Sequence, residues 1–314
     1  MALSLDSEIL PVLLERAEAA AGIVLPGRGD ALGLRALTDA ALAQSLGALP
    51  AAPDVRATHH TATNDGVDVP LRWYEKPGSS SGAAVVYVHG GGMICGTLEN
   101  YEPLARSYVD LTGVPVLLVG YRLAPENHGS VPAEDSFAAL AWLVEHSAEL
   151  GVDPSRIALM GDSGGGGVGA GAAILARDSG IPLARQILVY PMLDDRNVEP
   201  DPNLAPTATW SYDNNYTGWR ALLGDQLGGP DVPAVAAPAR LTEFAGLAPA
   251  YIEVGELDIF RDEGIAYATN LLRAGVSCEL HVHPGAPHSH DTLAPAASVS
   301  RRSVADRVRV ISAL

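Results

Sequence analysis

Met160-Gly161-Asp162-Ser163-Gly164-Gly165-Gly166-Gly167 is the stretch on which the reading of this chain turns. Before it, Arg156-Ile157-Ala158-Leu159-Met160 predicts a short buried strand. After it, Val168-Gly169-Ala170-Gly171-Ala172-Ala173-Ile174-Leu175-Ala176 predicts a helix of small residues. A serine with glycines two positions to either side, between a strand and a helix, makes a sharp elbow. Such a turn strains the backbone of its central residue, and only small neighbours let strand and helix close up around it. The hydroxyl then projects at the C-terminal edge of a sheet, beside the unpaired amides of a helix N-terminus. This is a place for a nucleophile. A glycine-rich turn that merely packs a helix on a strand would use the same residues, so the rest of the chain must decide.

Outward from the elbow, apolar strands alternate with helical segments. The strands are Ala84–Val88, Val116–Val119, Ile157–Met160, Ile187–Tyr190, Tyr251–Val254 and Cys278–Val282. Continuous apolar strands interleaved with helices predict an α/β fold, with a mostly parallel central sheet covered by helices on both faces. Ahead of them, residues 55–63 and 67–74 alternate around Asn64-Asp65-Gly66, a hairpin signal. At the start, Ile9, Leu10, Leu13, Leu14 and Ala17, and then Leu32, Leu34, Leu37 and Leu42, recur at helical spacing. A Pro/Ala-rich link, Leu49-Pro50-Ala51-Ala52-Pro53, follows them. Residues 193–240 break the rhythm, with many Pro, Asp and Asn and the aromatics Trp210, Tyr212, Tyr216 and Trp219. The expected organisation is N-terminal cap helices over 1–48 and a catalytic domain over 49–314. The latter carries a cap insertion at about 193–240.

The 314 residues suit one large α/β domain, and 47% hydrophobic content supplies its core. A net charge of −17 argues against nucleic acid and anionic membranes as partners, since both select basic surfaces. Cys95 and Cys278 form no metal or redox spacing. Met1-Ala2-Leu3-Ser4-Leu5-Asp6 lacks the basic start and long apolar core of a secretion signal. No apolar run approaches the ~20 residues needed to span a bilayer. A cytoplasmic setting is expected.

A second glycine cluster, His89-Gly90-Gly91-Gly92, follows the strand ending at Val88. Consecutive glycines leave backbone N–H groups unshielded, so Gly91 and Gly92, together with the amide of Gly164, are candidates for an oxyanion hole. His89, at a strand end, reads as a hydrogen-bonding brace. An acid and a base should follow the serine in chain order. After the strand Tyr251–Val254, Asp258 lies in the strand-to-helix loop and is favoured over Glu256. Asp262 and Glu263, where a helix should begin, suit capping and macrodipole roles. His288 lies in the loop after the last strand and is the expected base, with His290 as its competitor. Trp210, Tyr212 and His290 are candidate substrate contacts. A metal site could draw on His281-x-His283 and His288-x-His290-Asp291, but it would leave Ser163 and the glycine cluster without a purpose.

Together, His89-Gly90-Gly91-Gly92, Tyr121-Arg122-Leu123-Ala124-Pro125-Glu126, Gly161-Asp162-Ser163-Gly164-Gly165-Gly166 and Asp258 through Arg261-Asp262-Glu263-Gly264 resemble the hormone-sensitive-lipase family of bacterial esterases. The resemblance spans residues 89–290 and keeps the family's order. It implies the α/β-hydrolase fold with a helical cap, Ser163 as nucleophile, Asp258 as orienting acid and His288 as base. It further implies oxyanion donors at Gly91, Gly92 and Gly164. The implied activity is that of a carboxylesterase on short-to-medium acyl esters, needing no cofactor and no metal. Some family members pair through an edge strand into a homodimer. Three departures stand out. Gly164 replaces a usual Ala; Asn127-His128-Gly129 replaces an aromatic and prolines after Glu126; and Ser289-His290 replaces Gly-Phe after the base. Against this reading stand a metal-dependent hydrolase and a non-catalytic receptor that binds a small ligand under its lid.

Overall fold

The computed structural model describes residues 3–79 and 81–314. Met1 and Ala2, the first residues of the expected cap segment, lie outside the described residues, as does Ser80. In chain order the elements are α1 (Leu10–Ala19), α2 (Ala31–Gly47), β1 (Arg56–Asn64), β2 (Val67–Glu75), β3 (Ala84–Val88), α3 (Leu98–Thr112), β4 (Val116–Val119), α4 (Val131–Glu145), β5 (Ile157–Asp162), α5 (Gly164–Asp178) and β6 (Arg185–Val189). They continue with α6 (Tyr212–Leu223), β7 (Ala250–Gly255), α7 (Arg261–Arg273), β8 (Cys278–His283), α8 (His290–Leu293) and α9 (Ser298–Ser312).

The eight strands form one sheet in the order β1-β2-β4-β3-β5-β6-β7-β8. The β1–β2 and β2–β4 pairs are antiparallel and all other pairs are parallel. The hairpin turns at Asp65-Gly66, both at positive φ (51° and 75°), the backbone a two-residue hairpin requires. Alternate strand residues serve opposite layers. Val85 and Tyr87 pack with Tyr101, Tyr108 and Val109 of α3 and Val310 and Ile311 of α9. Val86 and Val88 pack with Leu140 and Leu143 of α4 and Ala172 and Ala173 of α5. Both faces of the sheet are therefore covered, which is why its central strands read as unbroken apolar runs.

One boundary and one packing detail differ from what the sequence predicts. The helix expected from Val168 begins at Gly164, so the glycine run is its first turn. Sterics explain the glycines. A Cβ on Gly165 would lie 2.2 Å from the Val88 carbonyl oxygen, and one on Gly167 would lie 2.0 Å from that of Met192. At the other end of the chain, α1 forms as its periodicity predicts but buries none of its own residues. Its anchor is Ile9, just before it, packed with Ala286, Ala294, Ala297 and Val299.

The segment between β6 and β7 holds α6 and otherwise short turns. Buried Asp195 pairs with Arg240 through two hydrogen bonds of 2.7 Å, closing the segment on itself. Glu263, expected to act on the helix macrodipole, instead turns inward. Its carboxylate accepts from the Leu193 amide at 2.6 Å and from Asn197 Nδ2 at 3.1 Å, tying the start of the segment to α7. Burial holds the Glu263 carboxyl well above the usual carboxylate range.

Candidate active site

The elbow places Ser163 between β5 and α5 with φ 54° and ψ −122°, a region that L-residues rarely occupy. The turn is held by backbone bonds: the Ser163 amide donates to the Val189 carbonyl at 2.9 Å, and the Met192 amide donates to the Ser163 carbonyl at 3.0 Å. Ser163 Oγ lies 2.9 Å from His288 Nε2. On the far side of that ring, His288 Nδ1 lies 2.8 Å from Asp258 Oδ2. Asp258 Oδ1 accepts from the Phe260 amide at 2.9 Å, so the fully buried carboxylate is aimed at the imidazole. The loop after β7 supplies the acid and the loop after β8 supplies the imidazole. Parallel strands bring both to the same sheet edge as the elbow. Glu256, the alternative acid, turns away and accepts from the Gly285 amide at 2.9 Å.

The glycine loop after β3 is packed against the elbow. A Cβ on Gly164 would lie 2.7 Å from the Gly92 nitrogen and 2.9 Å from that of Met93. Where the resembling family usually carries Ala, this chain has glycine, and a methyl there would run into the loop. Gly91 (φ 115°) starts a tight turn whose carbonyl accepts from the amides of Ile94 and Cys95. Asp162, which the sequence reading passed over, braces this loop. Its buried carboxylate accepts from the Gly90 amide (3.0 Å), Tyr87 Oη (2.9 Å) and Tyr101 Oη (2.9 Å). Its place inside the serine motif was the available signal. His89 is a brace as expected, stacked on Tyr121 with 4.3 Å between centroids and with Nδ1 2.9 Å from the Gly90 oxygen. Burial pushes His89 down to about 4, so it stays neutral.

Helix α2 locks the other side of the loop. Arg35 donates to the carbonyls of Ile94 (2.5 Å) and Ala124 (2.6 Å) and grips Glu126 through two bonds of 2.8 and 2.6 Å. Asp39 accepts from the Gly96 amide at 2.7 Å. A cavity of about 130 Å³ opens over Ser163 and His288, walled by Gly91, Thr38 and Leu42 of α2, Thr209, Trp210 and Leu293. Trp210 lies against the glycine loop, its Cζ2 2.7 Å from where a Gly92 Cβ would be. Thr209 Oγ1 donates to the His288 carbonyl at 2.6 Å, joining the β6–β7 segment to the loop that carries the imidazole.

Of the candidate substrate contacts, the structure brings only Trp210 to this cavity. Tyr212 instead lines a separate surface depression with Asp201, Asp262 and Glu263, away from Ser163. His290 is fully buried behind the site, with Nδ1 3.1 Å from Ser300 Oγ and its ring 5.6 Å from that of His283. Burial lowers its pKa. The C-terminal histidines do not converge as a metal site would need. Both nitrogens of His288 face Asp258 and Ser163, and His281 lies with Glu279 at 2.8 Å on the edge strand. Among the described residues, the one group with ligand atoms close enough for a metal is Glu279, His281 and Asp306, where Arg309 is already paired with Glu279. Nor, among them, is any helix long and apolar enough to cross a membrane.

The chain is similar to known ester hydrolases. A family model described as the alpha/beta hydrolase fold matches residues 85–291. Carboxylesterase NlhH of Mycobacterium tuberculosis is 38% identical over 271 residues, covering 83% of this chain and 85% of the relative. Ethyl acetate hydrolase of Pseudomonas putida is 34% identical over 253 residues, covering 75% and 76%. A solved bacterial heroin esterase superposes with a TM-score of 0.87 at 38% identity, over 98% of this chain and 97% of that one. The chain belongs to the α/β-hydrolase fold family, in its hormone-sensitive-lipase branch of carboxylic ester hydrolases.

Proposed function

We propose that this protein is a serine carboxylesterase acting on short-to-medium acyl esters through Ser163, His288 and Asp258. The observation that carries the reading is the continuous relay from Ser163 Oγ to His288 Nε2 (2.9 Å) and from His288 Nδ1 to Asp258 Oδ2 (2.8 Å). Asp258 holds the imidazole with its proton on Nδ1, leaving Nε2 free to accept. His288 takes the Ser163 proton as Oγ attacks the ester carbonyl carbon. The amides of Gly91, Gly92 and Gly164 face the developing oxyanion, a kind of donor whose loss typically costs about 2.7–4 kcal/mol of transition-state stabilisation. The protonated imidazole returns its proton to the leaving alcohol, giving an acyl-Ser163 ester. Water then repeats the sequence and releases the acid.

In this reading α1, α2 and the 193–240 segment form the cap, with Thr38, Leu42 and Trp210 as its contribution to the substrate cavity. A cavity of about 130 Å³ is far below the roughly 300–1,000 Å³ of drug-sized sites, which favours a small acyl group. Ethyl acetate hydrolase among the relatives points the same way. The two free cysteines, Cys95 and Cys278, fit a reducing, cytoplasmic setting. Any homodimer built through an edge strand would use β8 or β1, the two ends of the sheet.

The test is a panel of p-nitrophenyl esters of rising acyl length, run with and without a chelator, alongside labelling by an organophosphate. Peak turnover on short acyl chains, indifference to the chelator and covalent labelling at Ser163 are expected. Peak turnover on long fatty-acyl esters would overturn the acyl preference. A chelator-sensitive activity that survives Ser163→Ala would overturn the mechanism.

A further inference from the structure

Behind His288 lies a buried charged assembly that the acyl-transfer steps do not use. Arg307 of α9, 2% exposed, donates from Nη1 to Asp291 Oδ2 at 2.5 Å and from Nε to Glu253 Oε1 at 2.8 Å. Ser303 Oγ (2.7 Å) and Tyr251 Oη (2.5 Å) donate to the same Glu253 carboxylate. A buried cation with two buried carboxylates is costly to desolvate, and apolar residues of similar volume could fill the space as stably. The structure shows where the assembly leads. Tyr190 Oη donates to Asp291 Oδ1 at 3.0 Å, and the Tyr190 ring edge meets the His288 ring at 4.7 Å and 70°. The Phe260 ring also meets the imidazole, at 5.0 Å and 88°. Tyr190 also sits at φ 36°, a strained conformation for a tyrosine, with its amide bonded to the Glu253 carbonyl at 2.7 Å.

From this geometry we infer that Tyr190 is a positioning residue for the base, its hydroxyl moored by Asp291 and Arg307 so that its ring keeps His288 aligned between Ser163 and Asp258. The inference rests on His288 being the base. An unmoored phenol ring can rotate, and the imidazole then gains room to swing off the 2.9 Å contact with Ser163. Misplacements of about 1 Å between reacting groups can cost on the order of 100-fold in rate. Burial, and then Asp291 beside it, push the Tyr190 phenol well above its ordinary range, so it remains a donor throughout the working pH.

The experiment is a double-mutant cycle with Tyr190→Phe and Asp291→Asn, read as kcat and KM per active site titrated with an organophosphate. His288→Ala and melting temperature serve as controls. Tyr190→Phe is expected to lower kcat about tenfold with KM within about twofold, as loss of an aligned group does. Asp291→Asn should act similarly, and the double variant should be no worse than either single, because both break one mooring. If Tyr190→Phe does not fold, Asp291→Asn alone must show the kcat loss with KM unmoved. Wild-type kcat in either soluble variant, or independent multiplying losses, overturns the positioning role. Full activity in His288→Ala overturns the base assignment itself and the inference with it, whereas inactivity there with active Tyr190→Phe overturns the inference alone.

Discussion

Ser163 Oγ and His288 Nε2 stand 2.9 Å apart, yet the molecule builds their surroundings by opposite means. On the serine side, backbone packs on backbone. Strand, elbow and glycine loop approach so closely that Gly161, Gly164, Gly165 and Gly167 have no room for a methyl group. On the imidazole side, side chains do the holding. His288 rests against Phe260 and Tyr190, its carbonyl bound by Thr209, with the Arg307 assembly behind. The difference follows from the chemistry asked of each. A serine must be presented once, at one angle, with amides beside it, and rigid main chain does that. An imidazole that accepts and returns a proton at Nε2 while Nδ1 stays bound to a carboxylate must keep its place, which needs walls and hydrogen bonds around a ring.

The contrast can be broken at four points, in descending size of effect. Ser163→Ala removes the reacting atom and should lower kcat by about 10⁴–10⁶-fold, with His288→Ala adding little on top because the two act as a unit. Multiplying losses in the double variant would show that they do not. Gly165→Ala tests the backbone side. Its Cβ would overlap the carbonyl oxygens of Val88 and His89 at 2.2 and 2.3 Å, and the cost should exceed about 4 kcal/mol. A cooperative melt near the wild-type temperature would refute the packing argument.

Arg307→Met tests the imidazole side, and pH gives it a signature. Burial raises the carboxyls of Glu253 and Asp291, but Arg307, with His283 beside Glu253 and His290 beside Asp291, outweighs it and leaves both below their ordinary values. Groups lowered in the folded state stabilise it above the ordinary carboxylate range, and that stability is lost as pH falls through the lowered values. Without the guanidinium the two carboxylates are buried and uncompensated at pH 7, a loss of about 3–5 kcal/mol. Protonation relieves them, so the gap between wild type and Arg307→Met should narrow from pH 7 toward pH 4 in denaturant melts. A gap that widens in acid contradicts the pairing.

Ser289→Gly is the mildest. Ser289 lies at φ 55°, where the resembling family has glycine, and a non-glycine residue in that region costs roughly 1–2 kcal/mol. The greater freedom of glycine in the unfolded chain returns about 0.5–1 kcal/mol of that. A net gain of up to about 1 kcal/mol is expected in chemical denaturation, and a clear loss would show that the Ser289 side chain has a structural role.

The same contrast explains what could be read in advance. Gly161 through Gly167, Gly91 and Gly92 are local signals, because a sharp elbow and a bare amide each need particular residues at adjacent positions. The central strands β3, β4 and β5 were legible for a related reason: burial on both faces writes itself as an unbroken apolar run. Asp258 and His288 followed from chain order and from the loops that parallel strands present at one edge. Tyr212 and His290 misled because an aromatic residue or a histidine near a site in sequence carries no record of the direction it faces. Glu263 reached inward to Leu193, a contact 70 residues away that no local pattern encodes.

By itself, then, the sequence determined the parallel sheet and the elbow and narrowed the acid and the imidazole to a few candidates, since each depends on local periodicity, glycine at a strained turn or the order of strands. Tertiary structure alone decided how close the glycine loop lies to Gly164, that Arg35 of α2 clamps that loop, and that Tyr190 and Arg307 stand behind His288. Those are long-range contacts between side chains whose identities suit many environments, and only packing selects one.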